Sequence, residues 1–269
     1  MEDCVKVTIE NGVADVKLAR PSKLNALDPR MFEAIAAVGT KLKQDSPIRA
    51  VVLSGEGRGF CAGLDRERMS AIAKGESLLP FADLNKRTHG IANFVQHIVW
   101  QWRELPVPVI AAVHGFAFGG GFQLALGADM RFVAPQTQFS ILETKWGLVP
   151  DMVGTHLMRH LAREDVVREL TYTGRIFSAE EALGYGFVTR IVENPHAAAL
   201  ATAREIASTS PDAIRAAKRL LNLASLADAG TLLAAETEEQ RRLIGSANQM
   251  KAVRANLENR SADFADAAP

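Results

Sequence analysis

Apolar positions change their spacing along the chain, and each spacing predicts an element. Val5, Val7 and Ile9 alternate with polar residues, Asn11-Gly12 supplies a turn, and Val13, Val16 and Leu18 follow, so an antiparallel hairpin opens the chain. Asp28-Pro29 reads as a helix N-cap with a first-turn proline, and Met31, Ile35, Val38 and Leu42 carry a helical period to about Gln44. Short unbroken apolar runs at 50–54, 109–113 and 130–134 predict buried strands. Ile91, Phe94, Val95, Ile98, Val99 and Trp102 mark one face of a helix over about 84–104, and residues 119–128 predict a short helix after the second run. Ser178-Ala-Glu-Glu181 is a capping box whose helix stops near Gly184-Tyr185-Gly186. Residues 66–84 show no period and read as a long functional loop.

From about Pro195 the strand signals vanish, and Ala, Leu, Arg and Glu dominate. Ser210-Pro211 starts a helix carrying Ile214, Ala217 and Leu221, a longer helix runs to about Asn259, and the small, polar tail is expected to fray. The pattern thus divides into an α/β core over 1–194, holding the chemistry, and a helical region over 195–269.

Length and charge narrow the function class. A chain of 269 residues fits one large domain or one with an appendage. Its 31 Lys+Arg balance 31 Asp+Glu, which argues against a dedicated nucleic-acid binder. No apolar run nears the ~20 residues of a membrane span. The N-terminus lacks an apolar signal core, and Cys4 and Cys61 have no partner at metal-ligand spacing. A cytoplasmic protein with reduced thiols is the expectation.

Two glycine-bearing turns follow predicted strands: 57–65 (GRGFCAGLD) and 114–123 (HGFAFGGGFQ). Glycines at a strand-to-helix junction admit close backbone approach and leave N–H groups free at a helix start. Either these are tight turns packed on a sheet, or they converge as an oxyanion hole. The spacing of Gly119-Gly120-Gly121 does not make a dinucleotide fingerprint. Glu143 and Asp151 follow, among apolar residues and Trp146, an environment that raises a carboxylate pKa and suits proton transfer. Asp151 also reads as a helix N-cap, and Glu143 as a solvated loop end. H-x-x-x-H and G-x-S-x-G are absent, so zinc hydrolysis and serine esterase chemistry lack support.

Together these residues resemble the crotonase (enoyl-CoA hydratase/isomerase) superfamily over about 5–260. The order is Arg20-Pro21, Asn25-Ala26-Leu27, Phe60-Cys-Ala-Gly-Leu-Asp65, Gly115-Phe-Ala-Phe-Gly-Gly-Gly121, Gly147-Leu-Val-Pro150, Thr173-Gly174 and Ser178-Ala-Glu-Glu-Ala182. The resemblance implies a spiral of ββα units, C-terminal helices that assemble trimers or hexamers, and an acyl-CoA thioester substrate whose enolate is stabilised by two backbone N–H groups. By motif position these are Ala62 and Gly120. No cofactor is implied, coenzyme A being part of the substrate, and no metal.

Where family hydratases hold water between two glutamates, this chain has Gln123 and Glu143, which argues against efficient hydration. Glu143 with Asp151 is similar to the dienoyl-CoA isomerase branch, which usually has an aspartate at the Gln123 position. In the simple enoyl-CoA isomerases a single glutamate at the Glu143 position suffices, so the resemblance implies a dienoyl- or enoyl-CoA isomerase, with Glu143 and Asp151, or one of them alone, moving protons. Lys23, Ala26, Leu27, Gly63, Leu64, Asp65, Phe116, Gly119, Gln123, Leu142 and Trp146 are expected to contact the substrate. An atypical hydratase, another crotonase reaction, or a non-catalytic acyl-CoA-binding homologue are the alternatives.

Overall fold

The opening hairpin forms around Asn11 and Gly12, both at positive φ. In the computed structural model, which describes residues 4–44, 47–76 and 83–267, β1 (Val5–Glu10) pairs antiparallel with β2 (Val13–Leu18), Val7 opposite Val16. β1 is the sheet's edge, so Val7 and Ile9 stay exposed while Val5 is buried. Asp28 caps α1 (Pro29–Gln44) by accepting from Met31 N at 2.9 Å, and Met31, Phe32, Ile35 and Leu42 are buried as their spacing requires.

The chain continues through β3 (Ala50–Gly55), α2 (Arg66–Ile72), α3 (Phe94–Glu104), β4 (Val109–Val113), β5 (Phe116–Phe118), α4 (Gly120–Leu126), β6 (Met130–Val133) and β7 (Gln138–Ser140). After α5 (Gly154–Met158), α6 (Glu164–Thr173), β8 (Ile176–Ser178), α7 (Ala179–Tyr185) and β9 (Arg190–Ile191), it ends in α8 (Pro195–Ala207), α9 (Pro211–Ala224), α10 (Ala229–Leu243) and α11 (Ala247–Leu257). A larger sheet has the order β1-β2-β3-β4-β6-β9, parallel from β2 onward, and a smaller one the order β5-β7-β8. Consecutive strands β4 and β5, then β6 and β7, fall in different sheets, which is the turn of the ββα spiral.

Both faces of the larger sheet are covered, and this explains its unbroken apolar runs. Val51, Leu53, Val109, Ala111 and Val113 face a core with Trp102, Phe122 and Phe60. Val13, Ala50, Val52, Ile110 and Ala112 face Ala199, Ala203 and Ala207 of α8.

Four expectations are corrected. The helix expected over 84–104 begins at Phe94, because Asn93 and Gln96 form a reciprocal capping box and His89 and Ala92 exchange backbone bonds in a tight reversal. Ile91 is consequently exposed rather than on the buried face. The aperiodic stretch 66–84 contains α2, capped by Asp65, while residues 77–82 lie outside the described ones. The long C-terminal helix is two helices, broken at Gly245 (φ +79°) and restarted by Ser246. Up to residue 267 the tail is tied down rather than frayed: Asn248 bonds Ala265 at both backbone groups, and Arg49 donates to Phe264 O.

On α9 the buried residues are Pro211, Arg215, Ala216 and Lys218, so the Ala217–Leu221 side faces outward. Lys218 reaches the interior because its ammonium donates to Trp102 O, Val107 O and Asp129 Oδ2.

Candidate active site

The two glycine-bearing turns lie against each other. Cys61 and Ala117 form a parallel bridge, and Phe118 N donates to Cys61 O at 3.0 Å. A methyl group on Gly63 would sit 2.6 Å from Phe118 O and 3.5 Å from Gly120 N, and one on Gly121 2.4 Å from Cys61 O. Gly63 also has φ +83°. The approach therefore needs glycine on both steric and conformational grounds.

The free amides differ from the expected pair. Ala62 N–H donates to Leu24 O at 3.1 Å, so it is already spent on the protein. Among the described residues, Leu64 N–H in the same turn has no acceptor, nor does Gly120 N–H, which opens α4. A helix leaves its first amides free, and Gly120, which bears one of them, lines the same cavities as Leu64.

Two cavities meet at this point. An outer one of about 540 Å³ is lined by Ala26, Ala62, Gly63, Leu64, Gly119 and Gly120, and by Leu142 and Glu143. Lys23, Asp65 and Trp146 also line it, with Trp146 half exposed. An inner chamber of about 230 Å³ shares Leu64, Gly120 and Glu143, and adds Leu27, Phe32, Val95, Met152 and Asp151. Sequence spacing did not reveal Phe32, Leu148 or Met152 as wall residues, since an apolar residue looks the same whether it faces a core or a cavity.

Glu143 is 9% exposed, so the solvated-loop reading does not hold. Its Oε1 accepts from Gln123 Nε2 at 2.6 Å, while its buried Oε2 has no hydrogen-bond partner. Burial, and the charge of Asp151 after it, push the Glu143 pKa above the ordinary carboxylate value. Asp151 is exposed in the isolated chain, although the protein around its carboxyl is enough to raise its pKa above the ordinary carboxylate value through desolvation. Asp151 does not cap α5: the cap position is Val153, at φ +67°.

Two expected contacts fall elsewhere. Phe116 lines neither cavity; it stacks on Phe118 at 5.5 Å and covers Gly59. Gln123 is 1% exposed and outside both cavities. At the mouth, Lys23 pairs with Glu67 at 2.7 Å, a hydrogen bond that raises the lysine pKa and lowers that of the glutamate. Behind it, buried Arg20 bonds Ala26 O and pairs with Asp28 at 3.1 Å and Asp65 at 3.7 Å, knitting the outer cavity's floor.

The chain matches known proteins along most of its length. The enoyl-CoA hydratase/isomerase family matches residues 8–267. The 1,2-epoxyphenylacetyl-CoA isomerase of Escherichia coli K12 is 33% identical over 258 residues, covering 95% of this chain and 96% of that protein. A carnitinyl-CoA dehydratase of Salmonella arizonae is 35% identical, covering 82% and 80%, and the human mitochondrial Delta(3,5)-Delta(2,4)-dienoyl-CoA isomerase 36% identical, covering 77% and 64%. The crystal structure of an enoyl-CoA hydratase from Polaromonas sp. JS666 superposes with a TM-score of 0.87 at 27% identity, covering 97% of this chain and 99% of that one. With the ββα spiral, the apposed glycine turns and the buried glutamate already in place, these matches make the chain a member of the enoyl-CoA hydratase/isomerase (crotonase) family and an acyl-CoA enzyme.

Proposed function

We propose that this protein is an isomerase of unsaturated acyl-CoA thioesters, moving a double-bond system with two carboxylates. The observation that carries this reading is that Glu143 and Asp151 share the inner chamber, while position 123 offers an amide already engaged with Glu143. A second carboxylate for activating water is thus missing where hydration needs it. The remaining chamber walls are largely apolar, which suits an unsaturated hydrocarbon chain.

The thioester oxygen sits between Leu64 N–H and Gly120 N–H, two donors that strengthen as the oxygen gains charge; losing one such donor costs ~10²–10³ in rate. Glu143, which lines both cavities, lies nearer the thioester and removes a proton from C2 with its free Oε2. The electron pair spreads along the conjugated chain to the thioester oxygen. Asp151, which lines only the inner chamber of the two, returns a proton at the far end of the diene as the enolate collapses. Glu143 ends protonated and Asp151 ionised, and proton exchange restores both. Gly119 sits beside the Glu143 carboxylate at φ +51° and ψ −122°, a backbone conformation that favours glycine. Coenzyme A remains part of the substrate, with Lys23 and Asp65 at the mouth.

The test is an ultraviolet assay with a 3,5-dienoyl-CoA. The conjugated 2,4-dienoyl thioester band grows with wild type and is lost in Asp151→Asn. Glu143→Gln falls by on the order of 10²–10⁴ while calorimetry shows unchanged CoA-ester binding. A band that does not grow with wild type refutes the two-carboxylate isomerase, and unchanged turnover in Glu143→Gln refutes that residue's role.

The same reading includes a homotrimer or a hexamer of paired trimers. Leu221, Leu226, Leu233, Ile244, Val253 and Leu257 on and between α9, α10 and α11 are exposed in the isolated chain, an apolar surface suited to partner copies.

A further inference from the structure

Gln123 lies one turn into α4, and every hydrogen bond of its side chain goes to the two segments that bear the carboxylates. Nε2 donates to Glu143 Oε1 at 2.6 Å. Oε1 accepts from Met152 N and from Gly154 N, each at 2.9 Å. The second of these satisfies the first amide of α5, whose own cap residue, Val153, makes no side-chain cap bond, and the first holds the turn just before it. Asp151 does not cap α5 and lines the inner chamber. Gly154 belongs to the arrangement, because a methyl group there would lie 2.5 Å from Gln123 Oε1.

We infer that Gln123 is a positioning residue: one buried amide orients Glu143 with its second oxygen free and, through its own oxygen, pins the turn that carries Asp151. The inference rests on the two-carboxylate reading above for its kinetic consequence, but its geometry stands apart from it. The amide is needed for a chemical reason. It offers one donor and one acceptor at a fixed separation, and the two segments demand one of each. A carboxylate at 123 still accepts from Met152 N and Gly154 N, yet places a second anionic oxygen against Glu143. That pair is tolerable only while it shares a proton. A methionine fills the volume and makes neither bond.

Gln123→Glu and Gln123→Met therefore separate the two functions of the amide. Each variant is assayed with the 3,5-dienoyl-CoA across pH, and Glu143 is titrated by carboxyl carbon NMR in the substrate-free protein. Asp151 is the other charged group acting on Glu143, so the titration is repeated in an Asp151→Asn background. In Gln123→Glu the protonated side chain restores the donor at low pH, giving near-wild-type kcat. As the shared proton leaves, kcat falls by on the order of 10² with little change in KM, a limb that wild type lacks. In Gln123→Met, kcat is low at every pH, and Glu143 titrates higher than in wild type because its carboxylate has lost a donor.

A Gln123→Glu profile that superimposes on wild type overturns the inference. So does an unshifted Glu143 titration in Gln123→Met whose circular dichroism is native. Should wild type fail to turn over the dienoyl-CoA, the isomerase reading falls alone, and the Glu143 titration still decides the positioning role.

Discussion

A buried carboxylate with one unpartnered oxygen is costly to keep, and Glu143 shows where the chain accepts that cost. The raised pKa means that the folded state holds the Glu143 proton more tightly than the unfolded state. Between the two pKa values the folded protein binds more protons, so stability falls as pH rises through the folded value. Removing the charge should therefore help at high pH. Substrate-free Glu143→Gln is expected to melt above wild type at pH 8 by a few degrees, with the gap closing as pH falls into the ordinary carboxylate range. A gap that widens on acidification would mean that the carboxylate is stabilising where it sits. The residue itself was legible as a carboxylate among apolar neighbours. Which amide of the first glycine turn stays free was not. Ala62 and Leu64 are both amides in one glycine turn, and only Leu24, 38 residues earlier than Ala62, decides which of them is spent.

At the scale of elements, a helix start was readable where a side-chain cap coincides with the onset of the apolar spacing, and hidden where the two do not coincide. Asp28 and Ser178 begin α1 and α7 as their motifs indicate. Asn93 begins α3 in the same way, but the apolar spacing runs on through Ile91 and hides it. Because Asn93 and Gln96 satisfy each other's backbone donors, Asn93→Ala should cost about 1 kcal/mol in urea unfolding at fixed protein concentration. A change below about 0.3 kcal/mol would show that the His89–Ala92 reversal alone holds the helix start. α2 was missed because it is short and half exposed, with no apolar period to mark it, and its cap Asp65 was read for its place at the ligand instead.

For the whole molecule, the C-terminal helices split into two roles. α8 closes one face of the larger sheet through Ala199, Ala203 and Ala207, while α9 to α11 carry apolar residues outward, Leu257 at 79% exposure and Leu221 at 72%. Light scattering after size exclusion should give three or six chain masses, and Leu233→Glu combined with Leu257→Glu should shift the protein toward one. A wild-type monomer at micromolar concentration would contradict the trimer and leave that apolar surface to another partner.

The sequence by itself determined β1 to β4 and β6, the last three because runs buried on both faces must be apolar throughout, but not the two- and three-residue strands β5, β7, β8 and β9; it determined the family, because seven short motifs stand in one order. It also placed both carboxylates and the glycines on which the backbone's close approach depends. Tertiary structure alone decided what those groups face. Hydrogen-bond capacity is used up by partners far away in the chain: Leu24 takes the Ala62 amide, and Met152 and Gly154 take the oxygen of Gln123. That accounting across 29 to 38 positions of chain separates an amide that stays free from one already bonded.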